Sequence, residues 1–554
     1  AGRTMGNQGS SLNQATARAE DRIGVIGVKG RYHNLPHHLK DDYDVQKKAL
    51  GTGYSGAVLL ATSKSTGAKY AVKAFKLHGV PRDKKQELVS ECEIFLSMDH
   101  PHVARLVDVY EDPDELSLVM ECMEGGELFD RVTQRKVFSE KDASDASYQM
   151  LLAVNYVHSC GIVHRDLKLE NFLYEKKDSD FLKLIDFGFS RVWDKNTKME
   201  LSCGTLSYVA PEVLNKSYTS QCDMWSFGVI VFILLVGYMP FSGSSERQQI
   251  ANIRAGKYTW REDRWKNVSQ NGRDFVRQVL VVDASTRLTA EGCLHHPWIL
   301  ERKTQERGRR DSFDSSHAMA LSSFARESKF RRAVMQLMAW SLTAEERAEV
   351  RDAFLELDKD HTGDISLVEL RRVLEDNFHL SESDAGTVFS ALDANSDGTI
   401  NYSEFLAAMV SSRLKLHDEL LKQTFRRFDA DRNGYITSED FRTVLGANFP
   451  VKDIMDKACD FHDKEGIPHG SAAPDLCKVD ANSDGKISYE EFLAYLRNTE
   501  DDEQLEGATA VIDSEIRRGE SHTEEDHFPD GSPVRLRKRD RILKFFAEVR
   551  SGSS

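Results

Sequence analysis

The rhythm of apolar positions changes several times along the chain, and the changes mark its parts. Residues 1–42 are polar and Gly-rich with little periodicity, which predicts a leader that is flexible except near the folded region after it. From residue 43 to residue 299 the pattern is mixed. Early runs such as Val58-Leu59-Leu60-Ala61 and Tyr70-Ala71-Val72-Lys73-Ala74-Phe75 predict strands, and longer helical patterns follow, beginning with Glu87–Met98. Residues 300–342 form a charged junction, in which Phe330, Val334, Leu337 and Met338 fall on one helical face with basic residues around it. Residues 343–499 are helical with a repeat: Asp-rich loops begin at Asp358, Asp393, Asp429 and Asp480. Residues 500–554 are an extension, acidic and then basic.

Length and charge narrow the function classes. At 554 residues the chain is too long for one hydrophobic core. A formal net charge of −15 disfavours nucleic acid as a partner, because bulk electrostatics would oppose it. Eight cysteines without zinc-like spacing fit a reducing, cytoplasmic setting. No apolar run approaches the roughly 18 residues that cross a bilayer. The first four residues read as an expression remnant ahead of a native start at Met5. From there Met5-Gly6-Asn7-Gln8-Gly9-Ser10 fits the pattern for myristoylation of Gly6, which would attach the protein peripherally to a membrane. One such chain anchors only marginally, and no cysteine lies nearby for a second lipid.

The chemistry begins at Leu50-Gly51-Thr52-Gly53-Tyr54-Ser55-Gly56-Ala57-Val58, a G-x-G-x-x-G-x-V run whose glycines let backbone N–H groups approach phosphate oxygens. A dinucleotide-binding turn shares the pattern, but there a helix follows, whereas here a strand carrying Lys73 does. Lys73 suits the α/β-phosphates of ATP. Its carboxylate partner is Glu91, with Glu93 as competitor; Glu91 has the usual distance to Asp99-His100-Pro101. Then come His164-Arg165-Asp166-Leu167-Lys168-Leu169-Glu170-Asn171, Asp186-Phe187-Gly188 and Ala210-Pro211-Glu212. Asp166 can accept the proton of an attacking hydroxyl, Asn171 and Asp186 can ligate Mg²⁺, and Lys168 can neutralise charge on the transferring phosphate.

From Tyr43 to Trp298 these motifs resemble the eukaryotic protein kinases. The resemblance implies an α+β two-lobed fold, with a small β-rich lobe and a large helical lobe. The His-Arg-Asp-Leu-Lys form and Gly204-Thr205 look like the serine/threonine branch. ATP is then expected against Leu50, Val58 and Ala71, with Met120 as gatekeeper and Glu121 and Met123 offering hinge backbone groups. Glu127 would face ribose or a substrate arginine, and Asp223 and the Glu212–Arg287 pair would hold the large lobe. No catalytic residue of the pattern is missing, which disfavours a pseudokinase. Glu127 with Glu170 resembles the acidic pair that grips an arginine upstream of the phosphoacceptor; the alternative is two solvated carboxylates. Leu201 stands where many kinases carry a phosphothreonine, so Glu200 is the candidate to satisfy Arg165 without phosphorylation.

An EF-hand loop needs oxygen ligands at positions 1, 3, 5, 9 and 12, a carbonyl at 7 and glycine at 6. The first loop supplies Asp358, Asp360, Thr362, Gly363, Asp364, Ser366 and Glu369. The second supplies Asp393, Asn395, Asp397, Gly398, Thr399, Asn401 and Glu404, and the fourth Asp480, Asn482, Asp484, Gly485, Lys486, Ser488 and Glu491. Each has Ile at position 8, the residue that pairs with a sister loop. The third loop, with Asp429, Asp431, Asn433, Gly434, Tyr435 and Thr437, ends in Asp440, whose shorter arm predicts weaker calcium binding. Asp460–Asp475, between the third and fourth loops, reads as a flexible insertion.

A kinase, a junction and four EF-hands in one chain closely resemble the calcium-dependent protein kinases of plants and protozoa. The resemblance implies ATP, Mg²⁺ and Ca²⁺ as cofactors, protein substrates with basic residues upstream of Ser/Thr, and autoinhibition relieved through an intramolecular contact between sensor and kinase. The basic amphipathic junction suits either an EF-hand groove or the acidic substrate cleft. Arg309-Arg310-Asp311-Ser312 is a candidate autophosphorylation site, the basic tail 534–546 suits anionic lipid or the sensor, and a monomer is expected. The runner-up function, a calcium-gated nucleotide-binding scaffold, is disfavoured by the intact Lys73, Asp166, Asn171 and Asp186.

Overall fold

In the computed structural model the described residues are 11–53, 56–81, 88, 92, 94–135, 138–186, 191–192, 205–215, 219–302, 313–378, 381–413, 418–446, 479–482 and 484–497. Residues 1–491 form one compact unit and 492–554 a second, of which only 492–497 are described. Glu91, Glu200, Leu201, Ser312, Gly6, the 460–475 insertion and the tail lie outside the described residues.

Strands form where aliphatic runs alternate their faces. The small lobe is one six-stranded sheet in the order β1-β5-β6-β4-β3-β2. Its strands are β1 (Tyr32–Asn34), β2 (Tyr43–Gly53), β3 (Gly56–Ser63), β4 (Lys69–Lys76), β5 (Leu106–Glu111) and β6 (Glu115–Glu121). β2 and β3 close the glycine-rich turn with Gly53 opposite Gly56. Antiparallel registers then place Val58 opposite Lys73 and Ala71 opposite Met120, so the turn, the lysine and the gatekeeper share one end of the sheet.

The leader is a correction. From Ser11 it forms α1 (Ser11–Lys29), then β1, which adds to β5 in parallel, then α2 (Leu39–Asp42). The helix is interrupted at Gly24, whose φ of 79° suits glycine. Its buried apolar residues Ala19, Ile23 and Val28 are too sparse to register as a periodic stripe, yet they reach the core. Arg31 follows, fully buried, its guanidinium donating to the carbonyls of Leu106 at 2.7 Å and Leu96 at 2.8 Å.

The large lobe carries α3 (Leu128–Arg135), α4 (Glu140–Ser159), α5 (Gln221–Val236), α6 (Glu246–Arg254), α7 (Glu262–Trp265), α8 (Gln270–Val279), α9 (Ala290–Leu294) and α10 (Pro297–Leu300). Short strand pairs link β7 (Ile162–Val163) with β10 (Arg191–Val192) and β8 (Phe172–Tyr174) with β9 (Leu182–Leu184). α5 is apolar all round and buried along its length, the pattern of a helix at the centre of a lobe.

The junction is two helices, α11 (Ser315–Arg326) and α12 (Lys329–Ser341). Each starts at a residue whose side chain accepts from the first turn: Asp314 and Ser328. Phe330, Val334, Leu337 and Met338, the residues of the apolar face, are buried, and so are Ala333, Met335 and Trp340. The helix is covered on more than one side because the sensor holds one face and α1 packs on another.

The sensor comprises α13 (Ala344–Leu357), α14 (Leu367–Phe378), α15 (Glu382–Leu392), α16 (Tyr402–Arg413), α17 (Asp418–Phe428), α18 (Ser438–Leu445) and α19 (Tyr489–Arg497). Between them run β11 (Ile365–Ser366), β12 (Thr399–Ile400), β13 (Tyr435–Ile436) and β14 (Ile487–Ser488). The position-8 isoleucines pair as expected, Ile365 with Ile400 and Ile436 with Ile487. α12 packs against α16 and α17, and α11 against α15 and α16. No helix among the described residues is long and apolar enough to cross a membrane.

Candidate functional site

The catalytic loop is held from below. The buried Asp223 at the start of α5 accepts from the backbone N–H of His164 and of Arg165, each at 2.8 Å, and bonds His158 Nε2 at 2.8 Å. Burial would raise its carboxyl, but the His158 bond and the surrounding donors hold it below the usual range. That anchor fixes Arg165 at a φ of 69°, a left-handed turn that delivers the next residue, Asp166, to the cleft.

Asp166 Oδ2 accepts from Lys168 Nζ at 2.6 Å, and the Asn171 amide nitrogen donates to the Asp166 carbonyl at 2.7 Å. The second bond spends the nitrogen of Asn171 and leaves its oxygen as the ligand atom for a cation. Asp186, itself at a φ of 62°, lies with Oδ1 3.5 Å from the buried Lys73 Nζ. One end of the cleft therefore assembles a base, two cations and two oxygen donors from three separate segments: β4, the loop 164–171 and Asp186 just after β9. Mg²⁺ fits this donor set, a carboxylate and an amide oxygen, as a hard cation requires.

Around the adenine side, Val58, Ala71, Met120 and Met123 are half-buried, Leu50 is exposed, and Glu121 is buried. The Glu121 N–H is bonded to the Arg105 carbonyl at 3.0 Å. Its side chain is not a spectator. It accepts from Lys183 at 2.7 Å and from Arg347 of α13 at 2.5 Å. Burial would raise this carboxyl, but Lys183 and Arg347 hold it down at about 2. Glu127 is pushed up by burial and then by the neighbouring Asp130 and Glu170 carboxylates, so the acidic pair at the cleft edge is close enough to repel itself. Glu212 and Arg287 form the expected pair at 2.7 Å.

Each calcium loop is shaped by the same hydrogen bonds. The position-6 glycine donates to the position-1 aspartate: Gly363 to Asp358 at 3.0 Å, Gly398 to Asp393 at 3.1 Å, Gly434 to Asp429 at 3.0 Å and Gly485 to Asp480 at 2.9 Å. The position-12 carboxylate spans the loop by accepting from the N–H groups at positions 2 and 9. Glu369 does so at 2.7 and 2.9 Å, and Glu404 and Glu491 match it. In the first loop a ligand oxygen from each of Asp358, Asp360 and Glu369 lies within 4.8 Å of the others. Burial, then the Glu369 and Asp360 carboxylates, push Asp358 up to about 8, the electrostatics of a site built for a cation.

Asp440 is more capable than its length suggests. It accepts from Ala430 N–H at 3.0 Å and Thr437 N–H at 2.8 Å, the same bridge the glutamates make, and clusters with Asp429 and Asp431 within 4.8 Å. The third loop therefore brings together three carboxylates that could hold a cation. Chelation by both oxygens still favours the longer arm, so Asp440→Glu is expected to tighten calcium at this loop about tenfold, some 1.4 kcal/mol. Calorimetric titration of the full chain at constant Mg²⁺ checks this; unchanged affinity would show that the shorter arm already chelates fully.

Sequence reasoning missed how the loops meet the kinase. The first loop rests on α4: Asn155 Nδ2 donates to the His361 carbonyl at 2.7 Å and Ser159 Oγ to the Thr362 carbonyl at 3.1 Å. Gly363 needs to be glycine twice, for its φ of 93° and because a Cβ would meet the Tyr156 ring at 2.3 Å. In the second loop the Asn395 amide donates to the Arg22 carbonyl of α1 at 2.8 Å.

Arg427 of α17 makes four hydrogen bonds to three residues. It grips both oxygens of Asp108 on β5, at 2.7 and 3.3 Å, and donates to the Gly30 carbonyl at 2.6 Å and Ser341 Oγ at 3.1 Å. Trp340 of the junction lies between Arg31 at 3.6 Å and Arg105 at 4.0 Å from its ring. The only sequence signal for these residues is an arginine on an apolar helix face, which many surface helices share.

Comparison with known proteins identifies both halves of the chain. Residues 44–299 match the protein kinase domain family, and residues 347–410 and 418–497 match the EF-hand domain pair. The chain is 32% identical to Calcium-dependent protein kinase 3 of Plasmodium berghei (strain Anka), over 83% of this chain and 81% of that one. It is 35% identical to Calcium-dependent protein kinase 7 of Arabidopsis thaliana, over 83% and 84%. With Calcium-dependent protein kinase 3 of Oryza sativa subsp. japonica it shares 33% identity, over 87% and 84%.

Proposed function

The chain belongs to the calcium-dependent protein kinase family, and from that premise we propose how its residues carry out calcium-activated phosphorylation of protein serine and threonine. Asp166 takes the proton of the attacking hydroxyl, and Lys168, bonded to it, neutralises charge on the moving phosphoryl group. Lys73 orients the nucleotide phosphates. Asn171 and Asp186 would hold Mg²⁺, which would supply further neutralisation of the phosphate charge. Glu127 and Glu170 form a negative edge that an arginine upstream of the phosphoacceptor would relieve, which supports a basophilic preference.

One observation supports calcium control of this chemistry: buried charged side chains tie the sensor to the small lobe and the hinge, inside one compact unit. In the calcium-free chain the sensor and α12 would hold the kinase inactive; calcium would bring them to the arrangement described above. We further assign the chain to the cytoplasm as a monomer, with myristoylated Gly6 as a peripheral membrane anchor. The test is phosphorylation of an arginine-containing serine peptide by the full chain with Mg²⁺-ATP, titrating calcium against chelator. Activity is expected only in calcium, with a midpoint of about 10⁻⁷–10⁻⁵ M, the range of sensor EF-hands. Equal activity in chelator would overturn autoinhibition and leave the kinase standing.

A further inference from the structure

The hinge carboxylate Glu121 is shared between kinase and sensor in an uneven way. Its Oε1 accepts from two kinase donors, the Arg105 N–H at 2.8 Å and Lys183 Nζ at 2.7 Å. Its Oε2 is bonded by Arg347 Nη2 at 2.5 Å, and Arg347 belongs to α13, the incoming helix of the first calcium loop. All three side chains are buried: Glu121 and Arg347 are each 6% exposed and Lys183 3%.

Charge balance shows that this pocket is completed from outside the kinase domain. Without α13, two buried carboxylates, Glu121 and Glu175, share one cation among the described residues, Lys183, at 2.7 and 3.9 Å. α13 adds two cations one turn apart, Arg347 on Glu121 and Arg351 on Glu175 at 3.1 Å. A buried carboxylate with too few partners is costly, so the rear of the hinge favours the docked sensor. The same helix runs from Ala344 to Leu357 and delivers Asp358, the first calcium ligand, at its end. Arg347 thus stands between a calcium ligand about three helical turns away and the hinge peptide itself.

We propose that Arg347 is a positioning residue of the nucleotide site, holding the hinge through Glu121 so that nucleotide and calcium each raise the other's affinity. The proposal rests on the assignment of the Glu121–Met123 hinge as the adenine contact. Adenine hydrogen-bonds to backbone groups of this segment, and the side chain of Glu121 sets where its carbonyl sits. Whatever docks α13 firms the hinge, and by thermodynamic reciprocity whatever firms the hinge favours docked α13.

The experiment uses the full chain and binding alone. ADP with constant Mg²⁺ is titrated calorimetrically in calcium and in chelator, and calcium is titrated with and without ADP. In the unaltered protein both affinities are expected to rise by the same factor, at least about fivefold, the low end of measured couplings. In Arg347→Met, which keeps the apolar stem, the factor is expected to fall to about one with calcium stoichiometry intact, and Arg347→Lys is expected to restore part of it. Arg351→Met, one turn along the same helix at 14% exposure and bonded to Glu175, is expected to keep the factor. Coupling that survives Arg347→Met, or that Arg351→Met abolishes equally, overturns the proposal. If Arg347→Met does not fold, Glu121→Gln gives the same reading: loss of the factor supports the proposal and its survival overturns it. A Met120→Gly variant given N6-benzyl-ATP tests the hinge assignment separately. Refusal takes down the hinge and the proposal with it; acceptance with undiminished coupling in Arg347→Met takes down the proposal alone.

Discussion

Asp166→Asn is expected to lower kcat by about 10²–10⁴-fold, the contribution of a positioned general base, while ADP and calcium bind about as before. The side chain is nearly isosteric, and the loop beneath it is fixed by Asp223 and the two backbone bonds to His164 and Arg165. The fold therefore has no reason to move. What is lost is the proton acceptor, together with the charge that holds Lys168 at 2.6 Å. Single-turnover measurement with saturating Mg²⁺-ATP and calcium isolates the chemical step. A loss of less than about tenfold would mean that proton transfer to Asp166 contributes little to the barrier.

The second large effect is structural. Arg427→Ala leaves Asp108 with a lost partner in a buried site, where the arginine is 10% and the aspartate 5% exposed. Breaking such a pair from one side costs about 3–5 kcal/mol, and here the Gly30 and Ser341 bonds go with it. Burial raises the Asp108 carboxyl, but Arg427, His33 and Tyr43 together keep it below its ordinary value of 3.8. A carboxyl with a depressed folded-state pKa stabilises above that ordinary value, and the contribution fades as pH falls below it. The variant should accordingly unfold more easily at neutral pH, and the gap to the parent protein should narrow in acid. Denaturant unfolding at several pH values checks both statements. Arg432→Ala is the contrasting case: its bond to Asp42, at 2.6 Å, is between groups 35% and 25% exposed. Such a pair is worth about 0–1 kcal/mol, and a loss as large as that of Arg427→Ala would refute the burial argument.

Where chemistry demands fixed residues at fixed spacing, the sequence was legible. The glycine turn, Lys73, the Asp166–Asn171 loop, Asp186 and the calcium loops each need one kind of atom at one offset, and the structure assembles them accordingly. Packing of one part on another was not legible, since it needs only that an ordinary residue find a distant partner. Nothing local distinguishes Arg347 or Arg427 from a solvated helix arginine; their meaning lies in Glu121 and Asp108, hundreds of positions earlier. The leader shows the same limit from the apolar side. Ala19, Ile23 and Val28 make a poor stripe in isolation, and α1 is stable because α12 and α18 cover it.

The uneven sharing of Glu121 bears on inhibitor discovery. A screen run on an excised kinase domain would present an adenine pocket whose back wall lacks Arg347 and Arg351, with Glu121 and Glu175 competing for one lysine. Compounds ranked there would be ranked against a different receptor from the one the whole chain offers. Screening the intact polypeptide keeps the native wall, and it also opens a selective strategy: a molecule that wedges behind the hinge could be specific to kinases that carry their calcium sensor in the same chain.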